Sequence, residues 1–78
     1  MNEQYFRAIS DLNESILIEP TQKRFELRGA SYYYSGGDIF KVQYQNALSG
    51  FEEAIRMNST SNLIAWESAA YSKLDQFD

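Results

Sequence analysis

Apolar and small residues recur along this chain at the spacing of an α-helix face. Between residues 3 and 18 they fall at Tyr5, Ala8, Ile9, Leu12, Ser15 and Ile16, offset from the first by 0, 3, 4, 7, 10 and 11 residues. Residues so spaced share one face of a helix. The same series returns at Tyr44, Ala47, Leu48, Phe51, Ala54 and Ile55. Between the two ladders lies the run Gly29-Ala-Ser-Tyr32-Tyr33-Tyr34, followed by Gly36-Gly37. This run predicts a helix whose inner face is Phe25, Gly29 and Tyr32, and which a partner helix approaches closely at the glycine. A fourth segment, from about 62 to 75, places Ile64, Ser68 and Tyr71 at the spacing of Phe25, Gly29 and Tyr32.

Capping chemistry sets the expected boundaries. Asn2 suits the start of the first helix, and Pro20 ends it because proline lacks an N–H and disfavours helical geometry at Glu19. Thr21 caps a second helix over roughly 22–35, with Gly36 as its left-handed terminator. Asp38 suits the cap of a third helix, which runs from about Ile39 to Met57 if Phe40 joins the ladder; otherwise the extra residues before Tyr44 form a loop over one edge. The polar link Asn58-Ser-Thr-Ser61 supplies capping side chains for the fourth. The pattern is therefore all-α, an array of antiparallel helical hairpins with about four helices.

At 78 residues the chain is one domain, and a domain of this size buries only roughly 60–65% of the surface its unfolded chain exposes. Aromatic residues make up 15% of the chain, and with no cysteine or histidine they must supply much of the core. Those absences exclude disulfides and the usual near-neutral acid/base catalyst. The net charge of −4 comes with dispersed Lys and Arg, which argues against a nucleic-acid interface. No apolar run approaches the roughly 20 residues of a membrane span, and Met-Asn-Glu-Gln-Tyr lacks the features of a signal peptide. A soluble, cytoplasmic protein is expected, and Asn58-Ser59-Thr60 then reads as an interhelix loop, not a glycosylation site.

A single offset of 39 residues superposes both helix types: Tyr5 falls on Tyr44, Leu12 on Phe51, Phe25 on Ile64, Gly29 on Ser68 and Tyr32 on Tyr71. The run Phe25-x-x-x-Gly29-x-x-Tyr32, the glycine Gly36 and Tyr44-x-x-Ala47-x-x-x-Phe51-x-x-Ala54 resemble a tetratricopeptide repeat. The resemblance implies a helix B of a first half repeat over 1–20, one full repeat over 21–59, and helix A of a following half repeat over 60–78. The period exceeds the usual 34 or so, with extra residues between Gly36 and Tyr44. A different all-helical bundle is the alternative architecture.

In that family the concave face of the A helices binds partner peptides. The resemblance places Lys23, Glu26, Ala30, Tyr33 and Tyr34 there, with Asn62, Ala65, Trp66, Ala69 and Lys73 in the next helix A. Rigid rings beside charged groups suit peptide recognition, although Trp66 and one tyrosine serve equally well as packing residues. Lys23 and Arg24 stand in the first turn of a helix, where its dipole disfavours cations, and an acidic ligand would offset that. The residues of the carboxylate-clamp subfamily are not all present, so chaperone-tail binding is not expected.

Catalytic chemistry finds no foothold. Glu52 and Glu53 point about 100° apart on a helix and cannot share a proton or a metal. Asp11 with Glu14, and Asp75 with Asp78, have helical spacing but no accompanying histidine or basic cluster, and Gly36-Gly37 lacks the Lys-Ser/Thr of a phosphate loop. The sequence thus points to a non-catalytic interaction module without cofactor or metal, whose partner is a protein or peptide, with neither nucleic acid nor membrane. The alternative is a self-assembling homo-oligomer. A lone helix B and a lone helix A at the two ends should each expose an apolar face, Tyr5, Ile9, Leu12 and Ile16 at one end and Ile64, Tyr71 and Leu74 at the other, and joining them would complete a repeat.

Overall fold

The computed structural model describes residues 3–37 and 40–77. Those residues form helices α1 (Glu3–Ile18), α2 (Gln22–Gly36), α3 (Lys41–Met57) and α4 (Ser61–Asp75), with no strand among them. The expected caps Asn2 and Asp38, the expected helix start Ile39, and Asp78 lie outside the described residues. Phe40 is the N-cap of α3 and offers no side-chain hydrogen bond, so it flanks the ladder instead of joining it.

Each helix packs on the next in order, α1 on α2, α2 on α3 and α3 on α4, with a slighter contact between α2 and α4. The start of α2 meets the ends of α1 and α3, so neighbours run antiparallel. Among the described residues α3 makes no contact with α1, because α2 stands between them. The buried cluster is Ala47, Phe51 and Ala54 of α3 with Leu63 and Ala70 of α4, flanked by Phe25, Tyr32, Tyr33, Leu48, Ile55 and Trp66.

Small residues set the spacing of α2 and α3. A Cβ on Gly29 would come within 2.6 Å of the Phe51 ring, and one on Gly50 within 3.1 Å of the Gly29 backbone. The two glycines thus face each other across a close approach of the two backbones. Gly29 has the packing role read from the sequence, whereas its counterpart Gly50 is a structural finding. Gly36 is not the left-handed terminator. It stays helical and buried because the Tyr44 ring occupies the space of its missing side chain, 2.6 Å from an added Cβ. The positive φ, 57°, belongs to Gly37, whose carbonyl accepts the Tyr44 hydroxyl at 2.6 Å. Ser35, buried beside this turn, accepts from Gln43 at 3.0 Å and donates to the Tyr32 carbonyl at 2.8 Å. No buried side-chain N or O among the described residues lacks a partner.

The 39-residue offset reappears in the capping. Thr21 accepts the N–H of Arg24 and Thr60 that of Leu63, each at 3.2 Å. Arg24 donates to the carbonyls of Ser15 and Glu19, at 3.1 and 2.6 Å, at the end of α1. Gln22 donates to the carbonyls of Ala54 and Asn58 at the end of α3. Ser15 to Ala54 and Glu19 to Asn58 are both shifts of 39, so equivalent orphan carbonyls are served from one helix start. Arg24 therefore answers the negative end of the α1 dipole and the Glu19 carboxylate 3.5 Å away. That placement supplies its anion and removes the need for an acidic ligand at Arg24.

Of the apolar face expected to be exposed on α4, Ile64 and Tyr71 are exposed, with Ser68, and Leu74 is half-buried, while Leu63, Trp66 and Ala70 turn inward. The physical reason is the neighbour. In α2 the Phe25, Gly29 and Tyr32 face receives the following helix α3, while α4 packs mainly on the preceding α3, with a slighter contact to α2, and uses a face about 100° away. At the other end, by contrast, the expected exposed stripe is absent. Ile9 is buried, and Tyr5, Leu12 and Ile16 are half-buried.

Candidate interaction face

The rings of α1, α2 and α4 meet at the end of the molecule where α1 begins and α2 finishes. Tyr34, 57% exposed, stacks on Tyr5 with centroids 6.1 Å apart and meets Trp66 edge-on at 5.8 Å. Tyr33 touches Tyr34, Tyr44 and Trp66, each at 5.4–5.5 Å and edge-to-face. Trp66 in turn stacks on Phe51 at 5.1 Å, with its planes 19° apart, which ties the cluster to the core. Such offset and T-shaped pairs are the favoured arrangements of aromatic quadrupoles.

Of the residues placed by sequence on the binding face, the structure therefore joins Tyr33, Tyr34 and Trp66. Tyr33 and Trp66 are half-buried, so packing and presentation are both realised in the same rings. Lys23 and Asn62 are exposed, and Glu26 and Lys73 are half-buried, but among the described residues no hydrogen bond or ion pair joins the side chains of these four to the ring cluster or to each other. The sequence reading missed Tyr5, Tyr44 and Phe77, whose ring lies 5.9 Å from that of Tyr44. The signal for Tyr5 was available: in an antiparallel pair the start of α1 meets the end of α2, and both carry tyrosine.

Acid/base chemistry is sparse. Among the described residues no three carboxylate, histidine or cysteine side chains group to hold a metal, and no helix is long and apolar enough to cross a membrane. The Tyr71 hydroxyl departs from its ordinary behaviour. The Tyr71 pKa is raised above the usual tyrosine value of 10.0, first by the negative charge of Glu52, then by burial, by Glu67 and by the 3.5 Å hydrogen bond it donates to Glu52. The folded state holds this proton more tightly than the unfolded chain. The resulting stability is complete below pH 10 and is lost as pH rises through the folded-state value. Absorbance titration of the tyrosines should show a late-ionising component, and Glu52→Gln should move it back toward the others.

Comparison with protein-family models, with curated proteins and with solved structures gave no match.

Proposed function

We propose that the chain is a non-catalytic interaction module of the tetratricopeptide type, working in the cytoplasm, which takes a peptide or protein partner on the face shared by α2 and α4. The observation that carries this reading is Tyr34: its ring is more than half exposed, yet contacts Tyr5, Tyr33 and Trp66. A ring already fixed by its neighbours loses little freedom when a ligand covers it, which favours binding. Lys23, Glu26, Asn62 and Lys73 supply charged and polar groups on the same two helices. The reading invokes no cofactor, metal, membrane or nucleic acid.

End-to-end self-assembly is the weaker reading. It needs an apolar stripe free on α1, and that stripe already packs toward α2.

The test is a displayed peptide library selected against the whole chain. Affinity of a selected peptide is then followed by Trp66 fluorescence in the native chain and in Tyr34→Ala. Loss of about tenfold or more, the size expected of an aromatic hot spot, should occur with the melting midpoint unchanged. A peptide that binds both proteins equally, or a library that yields none, overturns the reading.

A further inference from the structure

One face of α4 is covered by neither neighbour. Ile64 and Tyr71, each 49% exposed, stand with exposed Ser68 at the positions that in α2 are held by Phe25, Gly29 and Tyr32. There the same face receives α3. Carboxylates predominate around this apolar centre, and the cation one turn past Glu52 on α3, Arg56, is already paired with Glu53 at 2.6 Å. Glu52 reaches the Tyr71 hydroxyl at 3.5 Å, Glu67 follows Ile64 by three residues, and Asp75 follows Tyr71 by four. The one basic residue of α4, Lys73, is nine positions past Ile64, about 180° around the helix.

A second copy of the chain is a poor fit. The offset pairs Gly50, which meets Gly29 across the α2–α3 approach, with Asp11 of α1. Docking α1 of another molecule would bring Asp11 against Ser68, among Glu52, Glu67 and Asp75, between two chains of net charge −4. Like charges would then face each other across a close contact.

We propose that this face of α4 docks an amphipathic α-helix of a partner protein, with Gly or Ala opposite Ser68 in its apolar stripe and Lys or Arg along its flanks. A helix, and not a strand, suits the site because a ridge of side chains spaced by three and four residues complements another such ridge. The small residue is required for close approach, as the Gly29–Gly50 contact shows in α2 and α3. The basic flanks match the acidic rim, and this surface is separate from the ring cluster around Tyr34.

A synthetic helix tests this directly, using the sequence of residues 41–58, whose own chain segment fills the equivalent face of α2. One peptide carries N46K and E53K; its acidic counterpart carries N46E. Calorimetric titration into the whole chain should show the basic peptide binding at least tenfold more tightly than the acidic one, and weakening with salt. Ile64→Gln should reduce its affinity tenfold or more, and E52Q with E67Q severalfold, while Tyr34→Ala should leave it unchanged. Tyr71→Gln gives an independent loss, so a folding defect in one variant, seen as a lowered melting midpoint, does not decide the result. Equal affinity for the two peptides, no binding of either, or binding that survives both Ile64→Gln and Tyr71→Gln overturns the proposal. Dimerisation of the chain abolished by Ile64→Gln would assign the face to a second copy and overturn it as well.

Discussion

Replacing Phe51 by alanine should lower the unfolding free energy by about 3–5 kcal/mol, as for other buried aromatic side chains. Phe51 is fully buried. Its ring fills the space left by Gly29 and stacks on Trp66. It is therefore shared by α2, α3 and α4, and truncation opens a cavity at a point where all three meet. Small domains possess only about 5–15 kcal/mol in total, so the variant should be partly unfolded near room temperature. Urea denaturation followed by Trp66 fluorescence measures the loss, and an unchanged midpoint would contradict the packing. Loss of the stacking partner should also alter the native emission of Trp66.

Gly29→Ala should destabilise by about 1–3 kcal/mol through overpacking, even though alanine is the better helix former by about 1 kcal/mol. The added methyl would lie 2.6 Å from the Phe51 ring and 3.1 Å from the Ala47 carbonyl oxygen. The ring is itself wedged in the core, so neither neighbour can yield without moving α3. Gly37→Ala offers a contrast. Nothing lies within 4 Å of its added methyl, and its cost, about 1–2 kcal/mol, arises from the positive φ alone. Combining Gly29→Ala with Phe51→Leu should recover part of the loss, whereas Gly37→Ala should add to Phe51→Leu independently. Thermal melts of these combinations separate the two mechanisms.

The helices were legible because several local signals agree at their ends. Thr21 and Thr60 cap where the sequence offers capping side chains, and Pro20 follows the end of α1. The ladder of α3 was legible for the same reason, since Tyr44, Ala47, Phe51 and Ala54 all turn inward. In α4 the exposure of Ile64 and Tyr71 was expected of a half repeat, but the set that is buried was not. Ile64, Ser68 and Tyr71 obey helical spacing, but so do Leu63, Trp66 and Ala70, and only the neighbouring helices decide which set is buried. A repeat offset carries residue type from one unit to the next but not the presence of the following helix.

The candidate site was legible in part. Three consecutive tyrosines on one helix cannot all face inward, and Tyr34 is the one left exposed. What the sequence could not give is the company that ring keeps. Its contact with Tyr5 depends on antiparallel packing between segments 29 residues apart, and its contact with Trp66 on the slight approach of α2 and α4. Gly50 escaped notice for a similar reason: a glycine inside a ladder acquires meaning only from the backbone opposite it.

The shared carbonyl caps at the start of α2 give the molecule a fulcrum. Arg24 and Gln22 pin the ends of α1 and α3 to the same turn, while Tyr5, Tyr34 and Tyr44 sit at the opposite ends of those helices. The 15 residues of α2 make a lever of about 20 Å, on which a tilt of about 5° at the pinned end carries the far rings by about 2 Å. A tilt of α1 against α2 is thus smallest at the Arg24 bonds and largest where Tyr5 meets Tyr34, whereas α3 is tied to α2 at that end as well, through Gln43 to Ser35 and Tyr44 to the Gly37 carbonyl. A partner that wedges between Tyr5 and Tyr34 would work with the full length of that arm, and the caps would hold the pivot while it does so.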